Sequence, residues 1–282
     1  MNGKEIWIEE KLGLEKGRTL KIKVKKLREK IKSKYQEIEV VESEPFGKIL
    51  LIDGVIMLTE ADEFCYHEMI AHVPLCVHPE AQKVLVIGGG DGGTVREILK
   101  HQKVKEVEVC ELDEKVVEVS KRHFPSLASS FNDFRVKVYF EDGSKFIKTH
   151  QKEYDLIIVD SSDYIGPAEV LFQREFYEAM FQALTDDGIV VTQAESFFYD
   201  EKLIKSLFSF IKEIYPIGEY YYTLVPTYPS GVIGFTFCSK KYYPLNDFNQ
   251  AEALELNDLK YYNPAIHKAA FCLPTFVQAY KN

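Results

Sequence analysis

Carboxylates follow several apolar segments of this sequence, at the points where buried strands would end. They are Asp91, Glu111, Asp142 and the pair Asp160 and Asp163. Because the carboxyl ends of parallel strands meet at one edge of a sheet, we expect these side chains to line a single crevice. Such a crevice offers negative charge and hydrogen-bond acceptors, which suit an amine or a sulfonium. No cluster of histidines or cysteines accompanies them, so no metal site is predicted.

Asp160 and Asp163 are three residues apart in a predicted loop, so both can face one ligand. Two acids could hold a diammonium compound and accept one of its protons. The same pair could instead form a local Asx turn that has no chemical role. The spacing leaves both interpretations open.

A glycine-rich loop, Gly-Gly-Gly-Asp-Gly-Gly, occupies residues 88–93 between an apolar stretch and a helical pattern. Gly88, Gly90 and Gly93 fit the G-x-G-x-x-G pattern of loops that approach a nucleotide closely. Glu111 ends the next predicted strand, where an acid commonly accepts hydrogen bonds from ribose hydroxyls. These residues favour either a dinucleotide or an adenosyl compound.

Asp91 lies inside the glycine loop and bears on the choice between these ligands. A dinucleotide would place its pyrophosphate at this loop. A carboxylate about 4 Å away would then oppose it by roughly 4 kcal/mol at an effective dielectric constant of about 20. A cationic ligand would gain from the same charge. Asp91 could also cap the following helix, and the residue alone leaves both roles open.

From residue 62 onward, apolar strands alternate with helical patterns, which predicts a doubly wound parallel sheet of the α/β class, covered by helices on both faces. Two late strands, 219–225 and 232–238, are expected to form an antiparallel edge. The predicted strands are 83–87, 106–111, 135–140, 154–160 and 188–193, and the predicted helices are 62–78, 94–101, 114–124, 144–150, 173–184 and 201–215.

Residues 17–59 instead favour short antiparallel strands, and Asp53-Gly54 between two apolar runs predicts a hairpin. We therefore divide the chain into an N-terminal β-domain, residues 1–61, and a Rossmann-like catalytic domain, residues 62–282.

Composition narrows the functional classes. The 282 residues carry 35 Lys and Arg against 44 Asp and Glu, a net charge of −9, which argues against nucleic-acid binding. Five cysteines without a C-x-x-C pair favour a reducing compartment. The sequence shows no apolar signal segment and no run long enough to span a bilayer, so we expect a cytoplasmic protein without membrane contact.

Several strings of residues, taken together, resemble those of the spermidine synthases, the aminopropyltransferases of polyamine synthesis. The resemblance covers roughly residues 30–275 and is specific because so many strings coincide. The strings are Tyr35-Gln36, residues 62–69, the loop 88–93, residues 111–113, Asp142-Gly143, residues 160–163, 166–169, 226–231, 261–263, His267 and residues 269–271.

The resemblance implies a Rossmann-like domain of the class I methyltransferase type behind a small N-terminal antiparallel β-domain, in a homodimer or homotetramer. It implies transfer of an aminopropyl group from decarboxylated S-adenosylmethionine to putrescine, giving spermidine and 5′-methylthioadenosine. Decarboxylated S-adenosylmethionine is then a cosubstrate, and no cofactor is expected.

The resemblance also implies residue roles, with Asp160 as the proton acceptor. The polyamine contacts that it implies are Tyr66, His67, Asp91, Asp160, Asp163 and Tyr228. The cosubstrate contacts that it implies are Gln36, Gly88, Gly90, Asp91, Glu111, Asp142, Gly143, Asp160 and Pro167. One residue departs from the family pattern D-S-[S/T]-D-P-x-G-P, since Tyr164 follows Asp163 where proline is usual. This departure leaves the identity of the acceptor open.

Three other functions are compatible with part of this residue pattern. A small-molecule methyltransferase would use Glu111 in the same way, but its donor keeps a carboxylate that Asp91 would repel. An NAD-dependent dehydrogenase is disfavoured by the same charge. A polyamine-binding protein without activity would need the crevice but no base, and the presence of both Asp160 and Asp163 favours an enzyme.

Overall fold

A computed structural model describes residues 5–14, 17–164 and 166–281, with only the backbone of Gly166 and Pro167. The N-terminal part forms a five-stranded antiparallel sheet whose strands are paired in sequence order. The predicted Asp53-Gly54 turn joins its last two strands. The strands are β1 (Ile6–Glu9), β2 (Lys21–Lys32), β3 (Glu37–Ser43), β4 (Gly47–Ile52) and β5 (Val55–Thr59).

The larger sheet contains seven strands: β6 (Lys83–Gly88), β7 (Glu106–Glu111), β8 (Val136–Phe140), β9 (Tyr154–Asp160), β10 (Leu184–Gln193), β11 (Ile217–Leu224) and β12 (Val232–Ser239). Their order across the sheet is β11-β12-β10-β9-β6-β7-β8. β6 to β10 run parallel, whereas β12 pairs antiparallel with both β10 and β11. The expected antiparallel edge is therefore present.

Helices cover both faces of this sheet. They are α1 (Phe64–Leu75), α2 (Gly93–Ile98), α3 (Glu114–His123), α4 (Pro125–Ala128), α5 (Gly143–Phe146), α6 (Arg174–Ala183), α7 (Glu201–Ile214), α8 (Gln250–Glu255), α9 (Pro264–Ala269) and α10 (Thr275–Gln278). On β6, Val84 and Val86 belong to the core under α1 and α2, while Leu85 and Ile87 belong to the core under α6 and α7. Burial on both faces explains why residues 84–87 of this strand are all apolar.

The small sheet packs against the larger domain through one face. Ile38, Val40 and Leu50 of that face share a core with Phe124 and Leu127, which lie just after α3 and in α4. This contact fixes β4 and β5 beside the carboxyl edge of the larger sheet, where the predicted acids lie.

Several predicted bounds were wrong. The helix predicted over 62–78 covers only Phe64–Leu75, and that predicted over 94–101 ends at Ile98. The helix predicted over 144–150 is α5 followed by a 3-10 turn, Ile147–Thr149. The strand predicted from residue 188 is assigned from Leu184, with an irregular register before Ile189. Differences at helix ends of this kind arise because a terminal turn frays or tightens into a 3-10 turn.

Among the described residues, no helix combines the length and apolar character needed to cross a bilayer. The five cysteines, all within the described ranges, carry free thiols.

Candidate active site

A cleft of about 1530 Å³, counted out to its opening into solvent, lies between the small sheet and the carboxyl edge of the large one. Apart from Pro167, every predicted site residue lines this cleft. Pro167 is near the start of a 3-10 helix, Gly166–Phe172, and its side chain lies outside the described part of the chain. The strand-end acids Asp91, Glu111, Asp142, Asp160 and Asp163 therefore meet as expected.

Asp160 ends β9 beside the glycine loop. Its Oδ2 atom accepts a hydrogen bond of 2.7 Å from the Thr94 hydroxyl, and the Tyr66 hydroxyl also donates to this carboxylate. Burial and the nearby Asp91 carboxylate raise the pKa of Asp160 despite these donors. A carboxylate with a raised pKa is a stronger base, so this position suits a proton acceptor.

The glycine loop reaches Asp160 because Gly88 has no side chain. Gly88 has φ +82°, and a Cβ atom there would collide with the carbonyl oxygen of Asp160. The next residue, Gly89, donates its N–H to that same carbonyl at 2.9 Å. The predicted loop therefore positions both its own backbone and the end of β9.

His67 lies between two carboxylates. Its Nδ1 is 2.6 Å from Glu63, and its Nε2 is 3.3 Å from Asp91. Both ring nitrogens must carry hydrogen to satisfy both carboxylates, so His67 is an imidazolium. Burial disfavours that charge, but Asp91 and Glu63 together raise the pKa of His67 well above its usual range. The guanidinium of Arg96, on α2, donates to both oxygens of the Glu63 carboxylate, at 2.9 Å and 3.0 Å.

The position of Asp91 is compatible with both of the roles that the sequence left open. Its Oδ1 atom accepts the N–H of Gly93, the first residue of α2, at 2.6 Å, and it also faces His67 in the cleft. Burial raises the pKa of Asp91, but the imidazolium and the Gly93 N–H outweigh burial, so the carboxyl stays ionised. The imidazolium offsets part of the charge that the sequence alone assigned to Asp91.

His67, Asp91 and Asp160 bring ligand atoms within 4.8 Å of one another, a spacing that could hold a metal ion. An imidazolium has no free lone pair, however, and His67 would first have to lose a proton that Glu63 and Asp91 both favour. This arrangement therefore fits a site that receives an organic cation better than one that coordinates a metal.

Glu111 ends β7 at the other end of the cleft. It accepts the N–H of Asp113 at 2.9 Å, and it lies so close to Gly90 that a Cβ atom there would touch the carboxylate. Burial, followed by the charge of nearby acids, raises the pKa of Glu111 to about 7. Gln36 reaches this region from the small sheet, where its Nε2 donates to Asp113 at 3.1 Å.

Asp142 and Gly143 lie at the start of α5. Asp142 accepts the backbone N–H of Ser144 at 3.0 Å, so it also caps this helix. Two of the strand-end acids, Asp91 and Asp142, thus hold a helix start while facing the cleft. A helix cap and a ligand contact are compatible because a carboxylate has two oxygens and several lone pairs.

The far end of the cleft contains Asp163, Tyr228 and a residue that the sequence analysis missed, Glu195. The Tyr228 hydroxyl donates to the carbonyl of Met57 at 2.8 Å, which ties this wall to the small sheet. Asp163 and Glu195 share a hydrogen bond, and burial raises the pKa of Asp163 to about 6. Burial and the Asp163 charge raise the pKa of Glu195 well above its usual range. These two acids therefore share a proton.

Glu195 could have been found from the sequence, because it comes two residues after the end of β10 and so obeys the same strand-end rule as the other acids. A second missed acid, Glu10, is buried after β1 and raises the pKa of Asp163. No motif marks Glu10, and only the tertiary structure brings it here.

A Rossmann-like sheet whose glycine loop opens on an acid-lined cleft is an architecture of enzymes that bind adenosyl or related nucleotide ligands. Residues 63–250 match the spermine/spermidine synthase domain, and residues 6–60 match the spermidine synthase tetramerisation domain. The chain belongs to the spermine/spermidine synthase family.

Individual relatives agree with this assignment. A polyamine aminopropyltransferase of Leptospira biflexa is 51% identical over 276 residues, which cover 98% of each chain. That of Caldicellulosiruptor saccharolyticus is 47% identical over 275 residues, 97% of each chain.

Two solved structures are similar throughout. A spermidine synthase in complex with the transition-state analogue AdoDATO has a TM-score of 0.95 at 38% identity, over 98% of this chain and 94% of that one. The spermidine synthase of Thermotoga maritima has a TM-score of 0.92 at 37% identity, with the same coverage. The predicted fold class and the predicted aminopropyltransferase activity are confirmed by these matches.

Proposed function

We propose that this chain transfers the aminopropyl group of decarboxylated S-adenosylmethionine to putrescine, forming spermidine and 5′-methylthioadenosine. The observation that carries this proposal is the distribution of acids in one cleft. Glu111 lies at the nucleoside end, Asp91 and Asp160 lie together beside the glycine loop, and Asp163 lies with Glu195 at the far end. Such a cleft can hold the nucleoside and the ammonium group of the donor together with the diamine acceptor.

The acceptor amine must lose a proton before it can react. An alkylammonium with a pKa near 10.4 has no lone pair, and its deprotonation at pH 7 costs about 4.6 kcal/mol. Asp160 takes this proton, directly or through water, since its raised pKa makes it the more basic of the carboxylates beside the glycine loop.

The neutral nitrogen then attacks the methylene carbon next to the sulfonium. A nitrogen–carbon bond forms, the carbon–sulfur bond breaks, and sulfur keeps the electron pair as a neutral thioether. The sulfonium is already an activated leaving group, so the protein mainly holds nitrogen in line with carbon. The Thr94 and Tyr66 hydroxyls fix the Asp160 carboxylate for its part in this step.

The remaining site roles belong to the same proposal. Asp91 receives the ammonium of the donor, and Gln36, Gly88, Gly90, Asp142, Gly143 and Pro167 contact its nucleoside and sulfur end. Tyr66, His67 and Tyr228 border the acceptor. The chain works as a homo-oligomer, a dimer or a tetramer, and the match of residues 6–60 to a tetramerisation domain supports this assembly. A cytoplasmic location stays a prediction.

The proposal is tested by incubating the purified chain with putrescine and either decarboxylated or intact S-adenosylmethionine, and identifying the products by mass spectrometry. We expect spermidine and 5′-methylthioadenosine from the decarboxylated donor alone. Methylated putrescine from the intact donor would contradict the proposal and indicate a methyltransferase. Tight polyamine binding without any product would indicate a binding protein.

Binding of 5′-methylthioadenosine is expected to depend on pH through Glu111. The ionised carboxylate is the better acceptor for ribose hydroxyls, and its pKa of about 7 means that it is protonated at lower pH. Affinity should therefore fall about thirtyfold between pH 8 and pH 5.5 if only the ionised form binds. This ligand has no ammonium, so the acids elsewhere in the cleft contribute little. Calorimetry on wild type and Glu111→Gln measures the effect, and an equally steep pH profile in the variant would contradict it.

A further inference from the structure

Glu63 is a buried acid directly behind the cleft. It precedes α1 and lies outside the lining of the cleft. His67 follows four residues later, on the same side of α1, and does line the cleft. Any effect of Glu63 on a bound substrate therefore passes through the ring of His67.

The carboxylate of Glu63 is fixed from two sides. The Arg96 guanidinium donates to both of its oxygens, and Nδ1 of His67 lies 2.6 Å from Oε2. Burial disfavours the charge, but the hydrogen bonds from His67 and Arg96 lower the pKa of Glu63. Glu63 is therefore an ionised group in one fixed orientation.

The ring of His67 is fixed as well. It lies against Gly93, the first residue of α2, where a Cβ atom would collide with three atoms of the ring. One ring nitrogen lies within 4.8 Å of a carboxylate oxygen of Asp160. The positive charge of His67 is therefore close to the proposed base, in a buried site where water screens it little.

Several groups decide how readily Asp160 loses its proton. The titratable and charged side chains that face Asp160, His67 or Glu63 are Tyr66, Asp91, Arg96, Glu111 and Tyr228. Burial and the Asp91 charge raise the pKa of Asp160, whereas the charge of His67 lowers it. Tyr66 and Tyr228 are neutral, because burial raises the pKa of each well above its usual range. Asp160 therefore depends on the charge of His67 to stay ionised.

We propose that Glu63 is a positioning residue that keeps His67 charged, and that the charged ring keeps Asp160 ionised and ready to accept the proton of the acceptor amine. This inference rests on the proposed function, and it gives His67 an electrostatic role beyond bordering the acceptor. Without the charge of Glu63, the ring keeps only Asp91 as a carboxylate partner and loses its proton at a lower pH. Asp160 then holds its own proton up to a higher pH.

The experiment measures kcat against pH with both substrates saturating, so that the bound nucleoside keeps Glu111 ionised in every variant. Glu63→Gln keeps the shape of the side chain and can still accept the Nδ1 hydrogen, but it has no charge. We expect the rise of kcat with pH to move upward by about one pH unit in this variant, because a positive charge within 4.8 Å of Asp160 is lost. At a pH below this rise, kcat should fall about tenfold.

Arg96→Gln is the matched control. It removes the other partner of Glu63 and disturbs the same contact between α1 and α2, but it leaves the carboxylate beside His67. The rise of kcat should stay at the wild-type pH. An equal upward shift in Arg96→Gln and Glu63→Gln would reveal a general disturbance of the site and overturn the inference.

His67→Gln shows whether Glu63 acts through the ring. The amide can still donate to Asp91 but carries no charge, so the rise should move upward as it does in Glu63→Gln. The variant with both substitutions should show no further upward shift. A second, additive shift would mean that Glu63 reaches Asp160 by another route, contrary to the proposal.

A measurement on the wild type makes the test independent of how the variants fold. Nitrogen NMR of the chain labelled at its 7 histidines distinguishes an imidazolium, which has hydrogen on both ring nitrogens, from a neutral ring. We expect an imidazolium signal to persist at about pH 8.5, two units above the ordinary histidine pKa. Its absence would overturn the inference. A wild-type chain without aminopropyl transfer would overturn the proposed function, whereas transfer with an unmoved rise in Glu63→Gln overturns only this inference.

Discussion

Asp160→Asn is expected to lower kcat for aminopropyl transfer by about a thousandfold, with little change in KM for the donor. Asparagine has nearly the same shape and can still accept a hydrogen bond from Thr94, which donates to Asp160 at 2.7 Å. It cannot take a proton from the acceptor, and a positioned base typically contributes between about a hundredfold and ten-thousandfold. Steady-state kinetics with putrescine as acceptor measures this loss.

The pH profile distinguishes a lost base from a disturbed site. In the wild type the ionised form of Asp160 is the active one, so kcat should rise with pH as the carboxyl, whose pKa is raised by burial and by Asp91, loses its proton. The Asp160→Asn variant should lack this rise. Thr94→Val is the matched control, since it removes one of the two hydroxyls that donate to Asp160 and should cost far less. Activity within tenfold of wild type in Asp160→Asn would show that the proton goes to another group.

Asp91→Asn is expected to lower kcat/KM for decarboxylated S-adenosylmethionine by about a hundredfold. The carboxylate would attract the donor ammonium by roughly 4 kcal/mol at about 4 Å, but the His67 imidazolium at 3.3 Å offsets part of this attraction. Asparagine can still accept the N–H of Gly93, so α2 should keep its start. The expected loss is therefore smaller than the unscreened charge suggests.

The same variant tests donor selection. Intact S-adenosylmethionine carries a carboxylate that Asp91 repels, so the ratio of dissociation constants for the intact and decarboxylated donors should shrink in Asp91→Asn. Calorimetric titration of both donors into wild type and variant measures this ratio. An unchanged ratio would contradict the assignment of Asp91 to the donor ammonium. Glu111→Gln is the control, since it should weaken both donors equally.

The cleft accommodates its buried carboxyl groups in two different ways. Asp91 has an imidazolium beside it, whereas Asp163 and Glu195 share one proton in place of a counterion. A bound diammonium compound could supply the positive charge that this end of the cleft lacks. We therefore expect polyamines to bind most tightly at a pH where the shared proton can leave.

The larger sheet could be predicted from the sequence because the apolar residues that favour each strand locally are also the residues that burial in the sheet requires. Strands buried on both faces must be apolar throughout, as residues 84–87 and 156–159 are, and the helices between them give the alternation. The C-terminal helices α8 to α10 were not predicted. They are one or two turns long, so they show no repeated pattern, and packing rather than periodicity decides that they form.

The sequence by itself determined that the acids at the ends of the parallel strands meet, since those ends must lie at one edge of a sheet. It did not determine their charges or their partners. Glu63 and Asp91 are far apart in sequence, and only their approach to opposite sides of His67 makes that ring an imidazolium. The Tyr164 N–H likewise reaches Glu195 only because β9 and β10 are neighbours in the sheet. Protonation and hydrogen bonding depend on distances between side chains, and those distances exist only in the folded chain.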